Sequence, residues 1–547
     1  MKIKDLMIIK ERFTFPLVLL WLIAFPVRAI EPNEILFIIL SQPNSYSSSL
    51  AESLRKDILR QAIDLNKTPP IIHLTHLDYP AASSWTVLPL LPTITQTCNL
   101  SVESTKYRKK HSDQKYELEQ PKPNRNKFNK ANINILQKTE KYSKNNVSHY
   151  LDPILKISNF KRIRKNREKK ERIRINWVFV CEDRTYVNLL RLLDVLSNKN
   201  YEDDMYLGHA LYDREASIIH HFAFMQDPTV FKYPHIGAGM ALSRKLVSSI
   251  TRKLSLHPIQ NDFSIDASHE LSLFILDITK LIHVKEFCSE KNEIENCATF
   301  PRPFETCGHM VSQAALYFAV KTCEKFHKER LPVVKSTWGD KAQNVIYFSE
   351  KQDNSIPTVG LDIPNTEAGH CLKTMTIFRK ILSEIKDGKK KFIKWIILAD
   401  DDTILSVSRM RELLSCYNHT KSSVIGERYG YVLHSKEGYN YITGGGGMAL
   451  TVSLLEKILN KCKCPSPKSP DDMLLGLCLT RLKDVEIIHS PYFHQARPVD
   501  YAPEYLKSSQ QISFHKHWMI DPLKVYEQWF QNADLQMIKE DRTHIEL

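Results

Sequence analysis

The chain alternates short runs of consecutive apolar residues with stretches in which apolar residues recur at helical spacing. Ile35 to Leu40 is one such run, and a Pro/Ser turn leads from it into a helical pattern near Leu50 to Ile63. In the second half Asn344 to Phe348, Lys394 to Leu398 and Val485 to Ile488 read as strands, with a helix at Met473 to Leu482. Runs that are apolar at every position need cover on both faces, so the pattern predicts parallel sheets between layers of helices.

A weak internal repeat organises these elements. Trp177-Val178-Phe179-Val180-Cys181-Glu182-Asp183-Arg184-Thr185 parallels Trp395-Ile396-Ile397-Leu398-Ala399-Asp400-Asp401-Asp402-Thr403. Gly237-Ala238-Gly239-Met240-Ala241-Leu242 parallels Gly445-Gly446-Gly447-Met448-Ala449-Leu450, and the offset drifts only from 218 to 208 residues. The expected fold class is therefore α/β, with two related Rossmann-like domains in tandem, 30–310 and 311–540, meeting between Cys307 and Pro332. Arg184 stands where Asp402 stands, so the first copy is expected to be degenerate and without catalysis.

The length of 547 residues agrees with more than one core. Charge changes the picture in one place. Lys106 to Arg174 carries 22 Lys and Arg against 7 Asp and Glu, an excess larger than the +14 of the whole chain. A segment at about 103–174, poor in apolar residues and without sustained period, reads as a disordered basic insertion. A basic amphipathic helix or anionic-surface patch is the alternative. Charge confined to one insertion argues against nucleic acid as a partner.

The first residues carry Lys2, Lys4, Lys10 and Arg12, then an apolar stretch from Phe13 to Val27 and small residues near Ala29. That layout predicts a signal peptide at 1–29, with a type II membrane anchor as the alternative if the segment stays uncleaved. His544-Ile545-Glu546-Leu547, at 544–547, has the form of a retrieval signal bound by an endoplasmic-reticulum receptor. Together they predict a soluble protein of the endoplasmic-reticulum lumen. Eleven cysteines fit an oxidising compartment, and the odd count leaves at least one outside intrachain disulfides. A zinc site is disfavoured by the one-residue gap of Cys462-Lys463-Cys464. Asn99, Asn146 and Asn418 open glycosylation acceptor patterns.

Four elements of the second half carry candidate chemistry. Asp400-Asp401-Asp402 follows a strand, where ligands of open α/β sheets bind, and its oxygens suit Mg²⁺ or Mn²⁺. An acidic turn capping the next helix is the other reading. Gly444, Gly445, Gly446 and Gly447 leave backbone open to a sugar or diphosphate, and the apolar helix expected from Met448 completes a strand-to-helix turn. Asp471 and Asp472 open a helix whose dipole favours an ionised carboxylate able to act as a base; simple capping is the alternative. His489 and His494 follow a strand, and either imidazole could complete a metal site or remain a surface residue.

The order of acidic triplet, Thr443-Gly444-Gly445-Gly446-Gly447-Met448, Asp471-Asp472-Met473 and Phe493-His494 resembles the Fringe-like β-1,3-glycosyltransferases. Residues from about Lys335 to Trp529, including Trp338-Gly339 and the blocks 489–498 and 513–518, are most similar to the branch that extends O-linked fucose on thrombospondin type 1 repeats with glucose. The resemblance implies GT-A type glycosyltransferase domains, UDP-glucose as donor, Mn²⁺ with Mg²⁺ as a substitute, and an inverting displacement. It implies Asp402 and His494 as metal ligands, Asp472 as base, Asp400 and Asp401 near the ribose and metal, and Asp471 and Trp338 as secondary candidates. Fucosylated thrombospondin-type repeats would be the acceptors. Transfer of N-acetylglucosamine or galactose, or a non-catalytic luminal glycan-binding role, are the alternatives.

Overall fold

The apolar runs become strands covered on both faces in the computed structural model, which describes residues 29–97, 174–217, 219–220, 227–291, 296–367, 369–508 and 510–546. The leader, the basic insertion from 103 to 173, Asn99, Asn146 and the side chains of residues 542–547 lie outside these. The described residues on both sides of the insertion belong to one compact unit.

The first half forms a six-stranded sheet in the spatial order Ile71–Leu74, Ile35–Leu40, Trp177–Glu182, Met240–Ser243, Tyr206–Gly208, Ile282–His283. A seven-stranded sheet in the second half runs Thr358–Gly360, Val345–Ser349, Leu316–Lys321, Trp395–Asp400, Met448–Thr451, Ser422–Gly426, Val485–His489. One layer of apolar side chains covers each face; in the second sheet Phe318 and Ile397 point to one side while Tyr317, Ile396 and Leu398 point to the other. This two-sided burial is why the strands are apolar throughout.

The sheets are mixed, which corrects the expectation of parallel sheets. Met240–Ser243 and Met448–Thr451 each run antiparallel to both neighbours. The cause is local. Ser422–Gly426 ends at the same edge as Trp395–Asp400, the hairpin Arg428–Tyr431 and Tyr439–Ile442 stays at that edge, and the glycine turn sends the chain back down. Met448 therefore opens a strand where a helix was expected; the helix Val452–Lys461 starts later, capped by Thr451 accepting from Leu454 N at 3.3 Å.

The repeat extends to hydrogen bonds. Thr185 Oγ1 donates to the Gly237 carbonyl at 2.8 Å, and Thr403 Oγ1 to the Gly445 carbonyl at 2.9 Å. Trp177 pairs with Ser243 as Trp395 pairs with Thr451, and Gly239 and Gly447 both take positive φ, +82° and +81°. Leu316–Lys321, central in the second sheet, lies inside the segment expected to be a junction.

Among the described residues four disulfides link Cys288 to Cys297, Cys307 to Cys416, Cys371 to Cys464 and Cys462 to Cys478. Cys181 and Cys323 are free. Cys462 and Cys464 thus join different partners rather than a zinc ion. Asn418 is exposed, its side-chain oxygen accepting from Thr420 N at 3.0 Å. Among the described residues no helix is long and apolar enough to cross a membrane.

Two of these bridges converge on the helix Asp471–Thr480: Cys478 lies on it, and Cys371–Cys464 ties the strand-flanking helix Cys371–Lys386 to the segment before it. Replacing Cys462 and Cys478 together by serine opens a loop of 16 residues. The double variant is expected to lose about 3 kcal/mol of stability, read as a lower urea midpoint at unchanged slope.

Candidate active site

Lys321 and Asp400 end adjacent parallel strands and are paired in register. The Lys321 ammonium is buried and bridges two carboxylates, 3.0 Å from Asp400 Oδ1 and 2.8 Å from Asp471 Oδ2. Burial alone would lower its pKa; the two flanking charges raise it instead. Asp471 also accepts from Thr374 Oγ1 at 2.5 Å. Although burial pushes Asp471 up, Lys321 and Thr374 bring it down to about 2.

Asp472 is in the opposite situation. Its oxygens accept from Met473 N at 2.7 Å and from Gly444 N at 3.2 Å, and no cation is bonded to it among the described residues. Burial, reinforced by the neighbouring Asp471 charge, lifts its carboxyl to about 6. A carboxylate ionised at neutral pH yet basic enough to take a proton is what general-base chemistry requires.

The acidic triplet is fixed as a turn. Asp400 N donates to Thr403 Oγ1 at 3.0 Å, and the fully buried Trp338 donates Nε1 to the Thr403 carbonyl at 3.0 Å. Trp338 thus supports the turn from the core and does not line the site. Asp401 is turned into the protein, accepting from Thr322 Oγ1 and Arg330 Nη1, each at 2.7 Å; burial raises it to about 6. These two bonds anchor the turn. Asp402 receives Arg330 at 2.9 Å on one oxygen and faces His515 Nε2 at 3.1 Å on the other. Burial opposes ionisation, but His515 and Arg330 outweigh it and hold Asp402 well below the usual carboxylate range.

His515 is the histidine that the fold brings to the triplet. The strand Thr403–Leu405 pairs antiparallel with Ser513–His515, placing Thr403 opposite His515. Nδ1 donates to the Gln495 carbonyl at 3.0 Å, which leaves Nε2 facing the carboxylates. The candidate ligand atoms of Asp400, Asp402 and His515 lie within 4.8 Å of one another. Two carboxylates and an oriented imidazole suit a divalent cation such as Mn²⁺.

His494, the expected ligand, is not in this cluster. Its ring is 1% exposed, stacks on Phe514 with centroids 4.9 Å apart, and its Nε2 meets Gln511 Oε1 at 2.5 Å. Burial lowers its pKa to about 4, so the ring is neutral. The pair Phe-His occurs at 326–327, 493–494 and 514–515; the strand pairing that selects the last is invisible in the sequence. His489 lies away from the cluster too, its backbone N–H donating to Gln42 at 2.8 Å.

The glycines serve these contacts one by one. A Cβ at Gly445 would overlap the His515 ring, and one at Gly446 would sit 3.1 Å from the His494 carbonyl carbon. Only Gly444 faces the carboxylates with space, its Cβ position 3.9 Å from Asp472 Cβ and 4.0 Å from Lys321 Nζ. Lys321 and Arg330 were not singled out by sequence; a cation closing an apolar run was the available signal for the first.

Known proteins resemble this chain over most of its length. A mouse β-1,3-glucosyltransferase is 39% identical over 509 residues, spanning 92% of this chain and 88% of its own. The human β-1,3-glucosyltransferase is 38% identical over 509 residues, covering 92% of this chain and 86% of the relative. A zebrafish lunatic fringe, a β-1,3-N-acetylglucosaminyltransferase, is 25% identical over 43% of this chain and 65% of its own. The sequence profile of the Fringe-like family matches residues 106–299 and again 311–541, on either side of a short gap. With most of its length so matched, the chain belongs to the Fringe-like family.

Proposed function

We propose that the chain is an inverting β-1,3-glucosyltransferase that uses UDP-glucose and a divalent cation, preferably Mn²⁺, and extends O-linked fucose on thrombospondin type 1 repeats in the endoplasmic-reticulum lumen. The observation that carries this reading is the convergence of Asp400, Asp402 and His515 with Asp472 across Gly444, at the carboxyl ends of neighbouring strands. The relatives' names support the reaction class, and the resemblance of the second half supports the acceptor. Four disulfides favour an oxidising compartment.

In the mechanism, Asp400, Asp402 and His515 would hold the cation. When bound there, it supplies Lewis-acid stabilisation of the charge that develops on the departing diphosphate. Asp472 takes the proton from the acceptor hydroxyl as that oxygen attacks the anomeric carbon. The bond from that carbon to the diphosphate breaks with its electron pair leaving on UDP, and the configuration inverts. Lys321 keeps Asp471 ionised, and that fixed negative charge raises the basicity of its neighbour.

The first half would not turn over substrate. Register places Leu40, Arg184 and Pro301 where the second half has Lys321, Asp402 and His515. It is a degenerate copy that supports the catalytic one.

Three outcomes follow. Asp472→Asn should lower turnover about 10²–10⁴-fold while donor binding is kept. The base works deprotonated, so in the unaltered enzyme kcat/KM should rise tenfold per pH unit up to about 6 and level off above it. That limb should vanish in the variant; the check is a pH series with a fucosylated repeat and a panel of UDP-sugars, product masses identifying the hexose. Gly445→Ala should displace the His515 ring and weaken Mn²⁺ binding about 10–100-fold, measured by calorimetric titration.

A further inference from the structure

We propose that the first half holds a second, non-catalytic site, for an uncharged saccharide, in a cavity at the carboxyl ends of its own strands. The cavity is about 460 Å³, within the range of small-molecule sites of about 300–1,000 Å³. Leu40 and Glu182, which end two neighbouring parallel strands of the first sheet, both line it. Their register counterparts in the second sheet are Lys321 and Asp400, at the carboxylate cluster. The duplicated topology therefore keeps a hollow where ligands of such sheets bind, after the metal ligands have been replaced.

The walls select the ligand class. Trp85 and Tyr46 offer aromatic faces for the apolar side of a sugar ring. Glu182 and Asp183 bring acceptors, and Arg428 brings donors, so hydroxyl groups can be met in both directions. A diphosphate would instead face three carboxylates, Glu182, Asp183 and Asp266, against two guanidiniums, Arg184 and Arg428, the first of which is already paired with Glu182. Arg428 is the telling group. Its guanidinium lies 4.6 Å over the Trp85 ring, its Nε is buried with no hydrogen-bond partner, and no carboxylate lies within ion-pair distance among the described residues. Ser490 Oγ, also in the wall, is likewise buried without a partner. Native interiors seldom leave such groups unmet, and the Arg428 Nη groups, which have no hydrogen-bond partner among the described residues, are the donors that a ligand's hydroxyls would meet.

The cavity is also preformed, its walls locked across the two halves. Gln42 exchanges two hydrogen bonds with the His489 backbone, at 3.0 and 2.8 Å. Trp85 Nε1 donates to Asn440 Oδ1 at 3.0 Å, while Asn440 Nδ2 donates to the Ala82 carbonyl at 3.0 Å. Ordering costs on binding are accordingly small.

The test is saturation-transfer NMR on the full chain without metal or nucleotide, with methyl α-fucoside, methyl β-glucoside and UDP as separate probes. At least one glycoside should receive saturation in the unaltered protein and in Asp472→Asn. The signal should fall at least tenfold in Trp85→Ala and in Ala82→Trp, which fills the cavity from an exposed loop position and guards against a Trp85 variant that does not fold. Absence of saturation for both glycosides would overturn the proposal. So would a signal indifferent to the cavity variants, one lost in Asp472→Asn, or a UDP signal that depends on Trp85.

Discussion

The site exists because two cations, Lys321 fully buried and Arg330 half-buried, sit between carboxylates that would otherwise repel one another. Lys321 sits between Asp400 and Asp471, and Arg330 between Asp401 and Asp402. Taking one partner from a buried ion pair strands the other charge, at a cost of about 3–5 kcal/mol. The two cations also assign roles. Asp471 and Asp401 are consumed by structural bonds, Asp402 is left with one oxygen toward His515, and Asp472 alone remains without a cation. A local arrangement of charge thus gives different surroundings to five aspartates that look alike in the sequence, and the proposed roles of anchor, ligand and base rest on that difference.

What sequence revealed and what it concealed follow from this. Strands such as Trp395–Asp400 were legible because burial on both faces makes every position apolar. The antiparallel direction of Met448–Thr451 was not, since an apolar run has no direction and the preceding hairpin sets it. Position in sequence located the acidic triplet and Asp472 at the end of a strand and the start of a helix, respectively. It could not say which way each carboxylate points, nor that Trp338 and Asp401 serve the turn from inside. His494 and His515 share the same preceding phenylalanine, and only the pairing of Ser513–His515 with Thr403–Leu405 distinguishes them.

The two halves share backbone devices and differ at charged positions. Both keep the threonine that ties the acidic turn to the glycine block, and both keep the glycine of positive φ after it. These features serve the backbone and survive in each copy. The charged positions do not: arginine and proline replace the carboxylate and imidazole, while the strand order is unchanged. Fold and chemistry are therefore set by different residues on the same elements.

The central claim is that His515, and not His494, completes the divalent-cation site with Asp400 and Asp402. A manganese titration followed by electron paramagnetic resonance on His515→Ala and His494→Ala tests it most directly. The account predicts that the first variant leaves Mn²⁺ free at concentrations that fill the unaltered protein, while the second binds it normally. Normal binding by His515→Ala, with binding lost in a folded His494→Ala, would contradict it.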